Sequence, residues 1–186
     1  KNLEEEKGPY KYKVEQNEKG WSYEDLFQNQ LMGTKKLVIN ETYLEREQQY
    51  QNLKEFLLFY QKMIPKNEIA TIDLITLKAP YKSERQAYDL SKINKSERQA
   101  YDLSKINKFV KDNGIPIKLK ITRKPGSTQI HDRRIEADNG WRFKWDRGMD
   151  IFQSREYDFK NKGYRNKNQK ERCCMPFSFM AMKQFG

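Results

Sequence analysis

The spacing of apolar positions changes several times along this chain, and each change marks an element. Tyr50, Leu53, Leu57, Tyr60 and Ile64 recur at steps of three and four residues. That is the buried stripe of an amphipathic helix over 45–64, stopped by Pro65. The stripe reads as packing, not as a cofactor box. Leu37-Val38-Ile39 is a short continuous apolar run inside Lys35–Asn40, and it suits a strand covered on both faces. ATIDLITL at 70–77 is rich in β-branched residues and predicts a second strand. Ile115, Ile117, Leu119 and Ile121 alternate with polar residues, predicting a third. Trp21–Leu31 predicts a short helix with Ser22 as N-cap and Trp21, Leu26 and Phe27 facing inward.

The densest pattern lies at 130–152, IHDRRIEADNGWRFKWDRGMDIF. A period of two runs on both sides of Asp138-Asn139-Gly140, which predicts a β-hairpin near 130–146. Asn and Gly both tolerate the positive φ of such turns. Strand, helix, strand, helix, strand and hairpin together predict an α/β domain, with a mixed, mainly parallel sheet flanked by helices. Residues 1–19, polar and holding a Gly-Pro, read as a linker or extension. The segment 154–186 reads as a basic, atypical tail with no clear closing strand, either genuine or such as a shifted or truncated reading frame would produce.

One feature breaks the pattern. SERQAYDLSKINK occupies 83–95 and recurs unchanged at 96–108. Both copies have helical periodicity. Thirteen residues at about 100° each turn the pattern by about 220°, so the copies cannot both face one core. One copy is expected to pack and the other to project or bend.

The formal net charge is +11 and aromatics make up 13% of the chain. A packed domain is therefore expected, with polyanionic partners: anionic phospholipid, nucleic-acid backbone or other phosphorylated ligands. A lysine-rich solubilising surface would give the same charge. The chain has no apolar run of transmembrane length, and its N-terminus lacks a signal-peptide core. These features point to a cytoplasmic protein, peripheral at membranes. The first residue, Lys1, reads as the start of a piece of a longer chain. Cys173 and Cys174 are adjacent, which suits neither a disulfide nor a zinc site. No metal and no cofactor is expected.

The motif at 130–152, with GWSYEDLF at 20–27 and KKLVINETYL at 35–44, resembles the phospholipase-D-like domain C-terminal to the MIT domain in MIT-domain-containing proteins. It also resembles the C-terminal module of a Lon-like protein of bacterial BREX phage defence. The resemblance covers about 20–153. It implies a phospholipase-D-like fold and a module working within a parent protein. In the MIT setting it implies binding to acidic phospholipid membranes, phosphoinositides included, during abscission. In the BREX setting it implies an accessory domain of a defence ATPase that contacts nucleic acid or partner subunits.

The same resemblance frames the chemistry. Phospholipase D enzymes carry H-x-K-x4-D, whose histidine attacks a phosphodiester while a second histidine protonates the leaving group. Here His131, Arg133 and Asp138 give H-x-R-x4-D, and His131 is the chain's one histidine. The motif is degenerate, so the domain reads as non-catalytic. Catalysis would require a homodimer that brings two His131 side chains together. His131 is open to three readings: nucleophile of a dimeric phosphodiesterase, part of a pocket that binds phosphate without cleaving it, or a structural histidine. Asp132 belongs to the same polar stretch. Trp141 and Trp145 read as core or interface aromatics, not as base-stacking platforms. A broader cationic surface would draw on Lys118, Lys120, Arg123 and Lys124 around the third strand, and on Arg133, Arg134, Arg142, Lys144 and Arg147 in and after the hairpin. A solvated face is the plainer reading.

Overall fold

The computed structural model describes residues 8–42, 44, 46–77, 95–125, 132–153 and 169–184, with backbone alone at 47 and 95–102. The elements run β1 (Tyr10–Val14), α1 (Tyr23–Leu31), β2 (Lys36–Glu41), α2 (Glu47–Tyr60), β3 (Ala70–Leu77), α3 (Lys95–Asp112), β4 (Ile117–Lys124), β5 (Arg134–Ala137), β6 (Trp141–Trp145) and β7 (Phe177–Lys183). Two 3-10 turns sit at Gly148–Asp150 and Gln169–Glu171. The strands form one seven-stranded sheet in the order β1-β7-β6-β5-β2-β3-β4.

The predicted helices and strands form for the reasons read from the pattern. Ser22 caps α1 by accepting the Asp25 N–H at 3.3 Å. Gln49 Oε1 reaches back to the Arg46 N–H at 3.0 Å and starts α2. All five residues of the α2 stripe are buried. The helix ends at Tyr60, short of the expected 64, because the next residues tighten into a turn in which Met63 N–H bonds the Tyr60 carbonyl.

The sheet is mixed, but it is not mainly parallel. β2–β3 and β3–β4 are parallel, whereas β5 joins β2, β6 joins β5, and β7 and β1 follow, all antiparallel. Two segments cause the difference. Tyr10–Val14, expected as linker, is edge strand β1. Phe177–Lys183, in the supposedly atypical tail, is β7, flanked by β6 and β1. Both segments alternate between the two faces: Tyr10, Tyr12 and Val14 of β1 and Phe177, Phe179 and Ala181 of β7 pack on the core, while Lys11, Lys13, Ser178, Met180 and Met182 face outward.

The hairpin turns differently from expectation. Only Gly140 takes positive φ, at 91°. Asn139 acts through its side chain instead. Its Nδ2 donates to the Gln30 carbonyl at 2.6 Å, and its Oδ1 accepts the Trp141 N–H at 3.2 Å. The turn is thereby pinned to the end of α1.

The second copy of the duplicated segment lies within α3, where Leu103 and Ile106 are buried. The first copy lies outside the described residues.

The core occupies one face of the sheet. Leu37, Ile39, Ile72, Leu74, Ile135, Phe143, Trp145, Phe177 and Phe179 point into it, and the buried residues of all three helices join the same cluster. Trp141 and Trp145 belong to it, as expected. Phe27 meets Phe56, Phe143, Trp145 and Phe179 edge-on at centroid separations of 4.9–5.6 Å, the geometry that aromatic quadrupoles favour. The other sheet face carries Lys11, Lys13, Lys36, Asn40, Lys118, Lys120, Arg134, Arg142, Lys144 and Met180. All of these are half-buried or exposed.

Candidate anion-binding site

A cleft of about 840 Å³ opens where β2 and β6 end and β5 and β7 begin. Its walls include Lys11 and Lys13 of β1, Thr42 after β2, Asp132 and Arg133 before β5, Lys144 and Asp146 of the hairpin arm, and Ser178 and Met180 of β7. The strand period of two places these side chains. In register, Lys11 faces Met180, Met180 faces Lys144, and Lys144 faces Arg134, so one row crosses four strands on the open face.

Arg133 is held from behind. Its Nε lies 3.5 Å from Oε1 of Glu41, the last residue of β2, and its Nη1 donates to the Asp146 carbonyl at 3.2 Å. Glu41 is fully buried, and its Oε2 accepts the Met149 N–H at 2.9 Å. Its Oε1 makes no hydrogen bond among the described residues. Burial pushes the Glu41 carboxyl up to about 8 against the opposing pull of Arg133 and the Met149 amide, and Asp150 adds to the rise. The long Arg133 contact fits that outcome: desolvation outweighs the ion pair.

A raised acid pKa means that the folded chain holds this proton more tightly than the unfolded chain. The stabilisation is complete below about 4.5 and is lost as pH climbs through about 8. Glu41→Gln keeps an acceptor for Met149 but cannot ionise. Its stability relative to the parent is expected to improve steadily as pH rises across that window. Urea midpoints at the two ends of the window test this, and parallel pH curves for the two proteins would refute it.

The cleft gathers only some of the residues picked from the sequence. Arg133 and Lys144 line it, and Lys144 also pairs with Asp132 at 3.5 Å. Arg134 and Arg142 both place Nε near Glu136 Oε1, at 3.3 and 3.2 Å, so their charge is partly offset within the sheet. Arg147 is turned to the Pro176 carbonyl at 2.8 Å and toward Asp150. Asp138 sits at the opposite end of β5 from Arg133, about 17 Å of strand away. There it accepts the Lys35 N–H. Lys118 and Lys120 share the open face but lie on β4, the far edge, about 19 Å from β6 at four strand spacings. Lys124 ends that strand, and Arg123 alternates with it. His131 lies outside the described residues.

Other polar residues escaped the sequence reading. Asp150 is buried and accepts from Arg46 and Gln48 at 3.1 and 2.9 Å. Arg172 is buried against Phe152 and donates to Asn52 Oδ1 and the Gln153 carbonyl at 2.7 and 2.9 Å, and it also pairs with Glu55. These contacts tie the tail to α2, and no spacing rule would have joined positions so far apart. Lys11 and Lys13 were missed with the rest of β1, although their alternation with Tyr10, Tyr12 and Val14 was a usable signal. Cys174 is a buried thiol pushed up to about 12 by burial, unsuited to metal binding. No group of metal-ligating residues occurs among the described residues, and no described helix is long and apolar enough to cross a membrane.

Comparison with known proteins adds a family to this geometry. The family model of the phospholipase-D-like domain at the C-terminus of MIT matches residues 20–182, running past the boundary expected at 153 and into β7. MIT domain-containing protein 1 of mouse is 31% identical over 161 residues. That match covers 82% of this chain and 55% of the mouse protein, so the chain spans about half of its relative. A solved yeast tyrosyl-DNA phosphodiesterase mutant aligns over 96% of this chain and 34% of its own, with 14% identity and a TM-score of 0.29. At that score the likeness carries no weight in the assignment, which rests on the family match and the mouse relative. This chain belongs to the family of phospholipase-D-like domains found at the C-terminus of MIT proteins.

Proposed function

We propose that the domain is a non-catalytic module that binds phosphorylated headgroups of acidic phospholipid membranes, as part of a larger protein. The observation that carries this is the cleft at the sheet end, which Arg133 and Lys144 both line. Guanidinium and ammonium groups grip phosphate by charge-assisted hydrogen bonds. The Asp146 carbonyl holds Arg133 by a hydrogen bond, with Glu41 packed behind it and outside the cleft. The single histidine argues against phosphodiester cleavage, which needs a nucleophile and a separate acid.

Flotation with phosphatidylcholine vesicles, with and without phosphatidylinositol bisphosphate, tests the reading. Binding is expected only to the anionic vesicles. Lys144→Glu is expected to weaken it by about tenfold, since one cation near an anionic surface is worth about 1 kcal/mol and reversal adds repulsion. Lys118→Glu, on the remote edge, should have a smaller effect. Binding to duplex DNA but not to vesicles would replace this reading with the nucleic-acid role of a defence ATPase accessory domain. Turnover of a fluorogenic phosphodiester that vanishes in His131→Ala would establish a dimeric phosphodiesterase instead.

A further inference from the structure

The cleft has a wall that the family match does not reach. The match starts at 20, whereas Lys11 and Lys13 come from β1. Tyr10 stacks on Trp141 at 5.8 Å, and Tyr12 contacts Trp21 and Phe179 at 5.3 and 5.9 Å. These anchors lock the register in which Lys11 pairs Met180 and Lys13 pairs Ser178. With Tyr10, Tyr12 and Val14 directed to the core, the period of two sends both lysines to the open face. Lys11 and Lys144 then flank Met180 from either side, about 10 Å apart at two strand spacings. Lys11 and Lys13 are both exposed. Among the described residues Lys13 pairs with Glu15 alone, at 3.8 Å and on the surface, a weak pairing in water. Lys11 makes no ion pair among the described residues.

We propose that β1 is a ligand-binding wall: Lys11 and Lys13 grip a phosphomonoester-bearing ligand from the side opposite Arg133 and Lys144. Binding is therefore coupled to docking of the N-terminal strand on β7. The inference rests on the anion-binding reading above and extends it to residues that determine affinity. Lysines on an edge strand also discourage edge-to-edge pairing, which would account for their exposure but not for their place in the cleft. If β1 supplies half of the grip, the ligand holds β1 down, and release of β1 dismantles the site.

The experiment compares the parent chain with Lys11→Glu/Lys13→Glu and Lys11→Gln/Lys13→Gln. The probes are phosphatidylcholine vesicles carrying phosphatidylinositol bisphosphate and, separately, soluble inositol hexakisphosphate, which distinguishes a lipid headgroup from free phosphate. Both positions are exposed, so both variants should fold, and near-ultraviolet circular dichroism checks this. The Glu pair is expected to bind about tenfold or more weakly than the parent, and the Gln pair to fall between them. Hydrogen exchange supplies a second readout: ligand should slow exchange of the β1–β7 amides in the parent and leave them unchanged in the Glu pair. If the parent binds and the Glu pair binds equally well, the role of β1 is overturned while the anion-binding function stands. If the parent binds neither probe, both are overturned.

Discussion

Removal of residues 173–186 is expected to abolish cooperative folding. Those residues contain β7, which pairs with β1 over five residue pairs and with β6 over five more. Phe177, Phe179 and Ala181 are buried. Two phenylalanines contribute about 2–3 kcal/mol each by burial, and the lost ladder bonds about 1 kcal/mol each. Together these approach or exceed the whole stability of an ordinary domain, about 5–15 kcal/mol. The truncation also uncovers the aromatic row of β6 and leaves β1 without a neighbour. Circular dichroism and urea unfolding check the outcome. A truncated chain with a sharp transition near that of the parent would mean that the tail is an appendage after all. Such a result would also revive the idea of a shifted reading frame, because a segment without evolved packing would be dispensable.

Gly148→Ala is the point substitution with the largest expected cost. Gly148 has a φ of +54°, and a Cβ there would meet Glu41 Oε2 at 2.2 Å and Oε1 at 2.6 Å. The end of a glutamate could normally swing away. This one is enclosed in the core and held by the Met149 amide. Left-handed backbone costs an alanine about 1–2 kcal/mol, and overpacking adds about 1–3 kcal/mol. A loss of about 2–5 kcal/mol is expected in denaturant unfolding. Displacing Glu41 also disturbs Arg133, so affinity for anionic vesicles should fall even where the variant is folded. Glu41→Ala in the same background separates the two causes. If the steric account holds, the double variant is less damaged than the sum of the single changes. Strict additivity would leave the backbone conformation as the whole cause.

Gly148 and Glu41 also mark where reading a sequence stops. The motif at 130–152 was plain as a hairpin, because strand periodicity and an Asn-Gly are local signals. That the turn after it closes on a carboxylate from β2 is a long-range fact. Asp138 shows the opposite error. It completes H-x-R-x4-D in the sequence, yet a strand separates it from Arg133 and leaves it binding the Lys35 amide. Spacing along a strand places residues at opposite ends of a sheet as readily as in one site.

By itself, the sequence determined the three helices, the parallel strands β2 to β4, the hairpin and the family. Each depends on periodicity, capping and turn chemistry within a few residues. The tertiary structure alone decided that the two ends of the chain, one read as linker and the other as tail, complete the sheet. β1 is an edge strand of five residues, and β7 blurs its own alternation with Met180 and Met182 on the outward positions; both form only when partner strands supply their hydrogen bonds. The cleft followed from that pairing. β1 brought Lys11 and Lys13 to Lys144, the Asp146 carbonyl held Arg133, and strand order carried Lys118 and Lys120 away to the far edge.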